Sequence, residues 1–203
     1  MVVMKPIQTL PEGYILKASL DLSRNTRALL GLNLVGVVLF FLFAWLFTSL
    51  AMQIRPGASA VNSLVEISGI WSLIRIILVI VLLQVVMIVL HEGFHGFFFW
   101  AFTRAHPRYA FKGLYAYASM PGWYFPRRQY LLTCLAPLVG ITLLGFLLIT
   151  FIPAAWILPV LVVMTLNAAG AVGDMAVAIW LIRAPANCLA NDQGDAFNLY
   201  VSA

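Results

Sequence analysis

Charge is what this chain most conspicuously lacks. Asp, Glu, Lys and Arg together make up 9% of its 203 residues, and hydrophobic residues make up 63%. A soluble domain carries roughly a quarter charged residues, so a water-exposed globular surface is excluded. Cysteine is equally scarce: Cys134 lies in an apolar run and Cys188 far away in the tail, which excludes a disulfide framework. There is no internal repeat, which argues against an inverted-repeat transporter. The opening MVVMKPIQTLPEGY holds two prolines, a glutamate and no apolar core, so no secretory signal peptide is expected and the first apolar span should be retained as an anchor. The net charge of +5 does not point to nucleic acid, because the basic residues are spread over the flanks of apolar runs.

What is present in quantity is long uncharged sequence. Ile76 to Leu90 contains no charge, and Gln129 to Ile182 contains only Asp174. Runs of about 18 or more apolar residues read as transmembrane helices. Four spans are predicted, at about Ala28–Gln53, Trp71–Thr103, Gln129–Ile152 and Pro153–Ile182. The fold class expected is an all-α membrane protein of about four transmembrane helices, with a short interfacial hairpin between helices 2 and 3. Its parts are an N-terminal segment (1–27), a transmembrane domain (28–183) and a C-terminal tail (184–203). The second span is too long for an upright helix at 1.5 Å per residue and must tilt, bend or protrude. The third and fourth meet at Ile152-Pro153 as a tight helical hairpin.

Basic residues set the expected orientation. Lys5, Lys17, Arg24 and Arg27 precede the first span, and Arg104, Arg108, Lys112, Arg127 and Arg128 fill the second loop. The first loop offers Arg55 and the last offers none. The positive-inside rule then places both termini and the second loop in the cytoplasm, in a membrane that is expected to be the prokaryotic cytoplasmic membrane. Arg75 can snorkel to the outer interface. In the second loop, extended-looking sequence from Phe111 to Ala118, a Pro121-Gly122 turn and Trp123-Tyr124-Phe125 suit a surface hairpin over 111–125. Its aromatics fit either an interfacial belt or a substrate contact.

The chemistry concentrates in His91-Glu92-Gly93-Phe94-His95, an H-E-x-x-H pattern. Two of the chain's three histidines and one of its three glutamates fall within it. On a helix, positions i and i+4 share a face, so both imidazoles can reach one metal, and Glu92 can meet a metal-activated water without being a ligand. Packed histidines and a snorkelling glutamate are the bland alternative. It is weak here, because an ionisable group deep in a span costs roughly 2.5–3.5 kcal/mol or more and is functional by default. A catalytic zinc takes three protein ligands plus water. His106 is one candidate for the third, but it follows the second span in a basic loop. Asp174 is the better choice, as the only acidic residue of the last two spans. It lies eight residues, about 12 Å, from the end at Ile182, and His95 lies the same distance from Thr103. With both spans running the same way, the depths match. Two neutral imidazoles, one carboxylate, Zn²⁺ and hydroxide sum to zero charge, which suits a low-dielectric site. A salt bridge from Asp174 to Arg183 would have to cross about 13 Å along the axis.

Asn167, two turns before Asp174, would share its face about 10 Å further out. It can bind substrate backbone or make a plain interhelical hydrogen bond. Gly170 and Gly173, with Gly93 and Gly96, suit close helix approach or ordinary helix packing.

HEGFH in one span and NAAGAVGD in a later one resemble the membrane zincin peptidases first catalogued as a domain of unknown function, which are similar to the site-2 intramembrane proteases. The resemblance covers about Leu90 to Asp174, including the Ala136-Pro137-Leu138 step. It implies that His91, His95 and Asp174 bind zinc, that Glu92 is the catalytic base, and that peptide bonds within or beside a membrane are cleaved. The chain departs from the better-known site-2 proteases. It has no proline between Asn167 and Asp174, Met175 follows Asp174 where they have glycine, and no PDZ insertion is recognisable. Expected partners are a membrane protein or peptide substrate and the lipid bilayer, with no nucleic acid. The competing readings are a non-catalytic membrane protein with a structural or sensory zinc, and a metal or small-solute transporter. The tail from Ala184 to Ala203 carries no interpretable motif.

Overall fold

The structure, a computed structural model, describes residues 5–21, 25–56, 69–111, 116–194 and 196–203. Arg24, Lys112 and the hairpin residues 113–115 singled out above lie outside the described residues. In chain order the elements are β1 (Tyr14–Asp21), α1 (Thr26–Ile54), α2 (Ile70–Thr103), β2 (Arg108–Phe111), β3 (Ala116–Ser119), β4 (Tyr124–Pro126), α3 (Arg127–Phe151), α4 (Ile157–Gly170), α5 (Val172–Arg183), β5 (Leu189–Asp192) and β6 (Ala196–Ser202).

Helices α1, α2 and α3 have 29, 34 and 25 residues and are long and apolar enough to cross a membrane. The expected fourth span is broken. Helix α4 stops at Gly170, Ala171 leaves helical geometry at φ −71 and ψ 10, and α5 begins at Val172. Gly170 and Gly173 flank the break, and glycine is the weakest ordinary helix former. Counting the bent α4–α5 pair as one span gives four.

The chain is not purely α-helical, which corrects the expected all-α class. Strands β1-β6-β5-β4 form an antiparallel four-stranded sheet, and β2 and β3 form a two-stranded one. The tail that showed no motif supplies half of the larger sheet. Its residues alternate as a strand requires, with Phe197 and Leu199 buried and Asn198 and Tyr200 half-buried. A bulge at Lys17 interrupts the β1–β6 register. The expected hairpin is divided: β2 and β3 pair with each other, whereas β4 joins the other sheet. Pro121-Gly122 makes the anticipated turn, with Gly122 at φ 80 and the Trp123 N–H donating to the Met120 carbonyl at 3.2 Å. The larger sheet draws on the N-terminal segment, the second loop and the tail.

The chain forms two compact units, and α1, α2 and α3 each run through both. Residues 1–34, 92–137 and 172–203 make the first. Its core is aromatic: Phe99, Phe125, Tyr130 and Phe197 pack with Leu181, Cys188, Ala190 and Leu199. Residues 35–91 and 138–171 make the second, whose core joins Phe47, Ala51, Ile149, Ile157, Leu161 and Met164. There Met164 occupies the space a side chain at Gly145 would need. Arg55 donates to the carbonyls of Ile149, at 3.5 Å, and Ile152, capping the end of α3 as basic side chains do at helix C-termini.

Candidate metal centre

Helix α2 carries His91, Glu92 and His95, so its 3.6-residue period alone fixes the two imidazoles one turn apart. His95 Nδ1 lies 3.0 Å from the carbonyl oxygen of Thr133 on α3. A carbonyl only accepts, so Nδ1 carries a proton, and in the neutral ring Nε2 bears the lone pair. That Nε2 stands 3.4 Å from Oδ1 of Asp174, and the two side chains are 11% and 23% exposed. Because the helix restarts at Val172, Asp174 sits in the first turn of α5, where the partial positive charge of a helix N-terminus favours a carboxylate.

The boundary between the two units falls within α2, between His91 and Glu92, so the helix backbone holds His91 in register with His95. His91 Nδ1 donates to Oδ1 of Asn167 at 2.9 Å, which leaves its Nε2 as the metal-facing atom as well. One ligand atom from each of His91, His95 and Asp174 lies within 4.8 Å of the others. The three residues that spacing and depth singled out are thus brought together. Among the described residues His106 joins no such group.

Asn167 is fully buried and turned to His91. The interhelical hydrogen bond weighed for it is present. The two-turn argument that aligned it with Asp174 fails because the helix breaks between them. Close approach through glycine is likewise corrected. A Cβ at Gly93, Gly170 or Gly173 meets nothing within 4 Å among the described residues, so side chains make the approach. At Gly96 alone of that set would a Cβ meet a neighbour, the Tyr109 hydroxyl.

Glu92 is held beside the trio. Its Oε2 accepts the Ala118 N–H of β3 at 2.6 Å. Tyr109, the cross-strand partner of Ala118, has its phenol pushed up by burial and by the Glu92 carboxylate. Sequence reasoning missed Thr133, Ala118 and Tyr109. Only Thr133 left a signal, because Pro137 in an apolar helix frees the carbonyl four residues earlier. It also missed Asp192 in β5, whose Oδ2 accepts the Tyr130 hydroxyl at 2.6 Å and whose Oδ1 accepts the Gly194 N–H at 2.7 Å. Burial pushes this carboxyl from 3.8 up to about 6. The bonds from Tyr130 and Gly194 oppose that rise, and Asp174 adds to it.

The donor set fits zinc. Two imidazoles of fixed tautomer and one carboxylate are the nitrogen and oxygen donors zinc prefers. A neutral His95 would aim a lone pair at a carboxylate 3.4 Å away, an arrangement that a cation between them resolves. Anchoring the second nitrogen of a ligating histidine on a carbonyl or amide is the usual orienting device of such sites.

Comparison with known proteins agrees with this chemistry. A family described as "putative zincin peptidase" matches residues 84–189, just over half of the chain. No curated protein and no solved structure matches significantly. The matched stretch contains His91, Glu92, His95, Thr133, Asn167 and Asp174, and the chain belongs to this zincin peptidase family.

Proposed function

We propose that the chain is an intramembrane zinc endopeptidase, of the site-2-protease kind, that hydrolyses peptide bonds of membrane-spanning or membrane-associated substrates. The observation that carries this is the trio His91, His95 and Asp174, both imidazoles anchored through Nδ1, with the Glu92 carboxylate on the adjacent helical position. Zinc held by the trio supplies a Lewis acid that makes water nucleophilic near neutral pH. Glu92 accepts the proton of the attacking water as its oxygen bonds to the scissile carbonyl carbon. It passes that proton to the amine as the C–N bond breaks. The Ala118 N–H occupies Glu92 in the resting protein, so substrate entry exchanges that bond for water. An extended substrate segment can lie along β3, taking its main-chain bonds from a strand edge. The membrane is the working medium, with the N-terminal segment, second loop and tail facing the cytoplasm under the positive-inside rule.

The competing reading, a structural or sensory zinc, requires a closed site with a fourth protein ligand. Among the described residues the metal-binding group holds three, which supports the open, catalytic form. The deciding experiment is Glu92→Gln, with zinc content measured beside cleavage of a transmembrane peptide in liposomes. Turnover is expected to fall by about 10²–10⁴-fold, the usual contribution of a general base, with zinc retained. Equal turnover in Glu92→Gln and wild type would remove the protease reading.

A further inference from the structure

We propose that Pro137 is a positioning residue of the metal centre: it withholds the amide hydrogen that would close a helical bond to Thr133, and so dedicates the Thr133 carbonyl to His95. In an α-helix the N–H of residue i bonds to the carbonyl of i−4. Helix α3 runs unbroken from Arg127 to Phe151 with Pro137 inside it, and four residues before Pro137 stands Thr133. That carbonyl lacks its ordinary donor, and it is the group 3.0 Å from His95 Nδ1. Thr133 and Pro137 are both fully buried, away from bulk water.

The Thr133 hydroxyl is not the acceptor. It points along its own helix to the Gln129 carbonyl at 3.0 Å, so the dependence is on the backbone. Proline inside an apolar helix is tolerated where a neighbour satisfies the carbonyl it frees, and here that neighbour is His95. A main-chain carbonyl cannot rotate away, so it fixes the imidazole tautomer more firmly than a side chain does. The consequence is the direction of Nε2, which faces Asp174. His91 gains the same tautomer from the Asn167 side chain, so the two imidazoles are set by different means.

This inference deepens the zinc-centre reading and rests on it. Its test uses the full-length protein and two variants, Pro137→Ala and Pro137→Gly. Both return an N–H to Thr133, the first with a better helix former and the second with a poorer one. Zinc Kd is expected to rise tenfold or more in both, within the roughly 10–100-fold range for loss of an orienting contact. The zinc-free Pro137→Ala protein is expected to melt no lower than wild type, so that affinity and stability move apart. A structural role for the proline would move them together. The chain has three histidines, and ¹⁵N NMR of their rings in zinc-free protein reads the tautomers directly. His95 is expected to be protonated on Nδ1 in wild type and to lose that single form in both variants. Wild-type zinc affinity and an unchanged His95 tautomer in both variants would overturn the proposal while leaving the zinc centre standing. Absence of zinc binding in wild type would instead strike the zinc-centre reading, and the tautomer measurement would still decide the role of Pro137.

Discussion

Helix α2 changes character at His91. Before it, Ile77, Leu78, Val79, Ile80, Val81 and Leu82 are each 45–63% exposed, an all-round aliphatic surface suited to lipid. After it come Glu92 and His95, and Phe99, only 1% exposed, packs on Phe125 and Tyr130. The two stretches are covalently one helix and both are strongly apolar. Hydropathy alone does not separate them; their neighbours in space do. The first stretch belongs to a unit held by aliphatic and phenylalanine packing. The second belongs to a unit that also contains both sheets, Asp174, the Thr133 carbonyl and the β3 strand that holds Glu92. The apolar part of such a helix is compatible with lipid by length and composition alone. The polar part needs partners from several distant segments, and these bring strands into a helical protein.

The comparison is broken most severely by removing the charge from the polar side. Asp174→Asn is expected to weaken zinc binding by on the order of 10³-fold, because an amide is a poor ligand and two imidazoles then face a dication with no balancing charge. Equilibrium dialysis reads this directly, and retention of wild-type zinc would exclude Asp174 from the ligand set. A Leu82→Ala control on the aliphatic stretch should leave zinc unchanged. Asn167→Ala sharpens the comparison from the other unit, whose polar groups are few. It removes the acceptor that orients His91, and zinc affinity should fall by roughly 10–100-fold, less than for Asp174→Asn. Equal affinity in Asn167→Ala and wild type would reduce that hydrogen bond to packing.

The legible parts of this molecule are those set by local rules. Runs such as Ile76–Leu90 announce helices, and the four-residue spacing of the histidines in HEGFH places two imidazoles on one face. Asp174 is visible because it is the lone acidic residue in a long apolar stretch. The illegible parts depend on partners far away in the chain. Strand β1 finds β6 across the whole length of the protein, and each segment alone is too short to declare its pairing. The break at Ala171 is hidden because the hydrophobic pattern continues through it, although the glycines on either side are in view. Pro137 stands out within a three-residue step, but which donor uses the freed carbonyl is not readable without α2 beside it.

The smallest effect expected concerns Asp192, which marks how far the polar character of the first unit extends beyond the metal centre. Burial raises its carboxyl to about 6 from 3.8, so the folded protein holds this proton more tightly than the unfolded chain does. The neutral form is therefore the favoured one on folding. The stabilisation is fully present below about pH 4 and is lost as pH rises through 6. Zinc-free wild-type protein should accordingly melt lower at pH 7 than at pH 4, by on the order of 5 °C for a chain of this size. Asp192→Asn keeps an acceptor for Tyr130 and cannot ionise, so its fall over the same interval should be smaller. Working without zinc matters, because metal affinity itself falls in acid and would otherwise reverse the slope. Parallel melting profiles for variant and wild type would mean that water reaches this carboxylate freely. The polar side would then end at the metal centre, and the Tyr130–Asp192 bond would belong to an ordinary hydrated sheet edge.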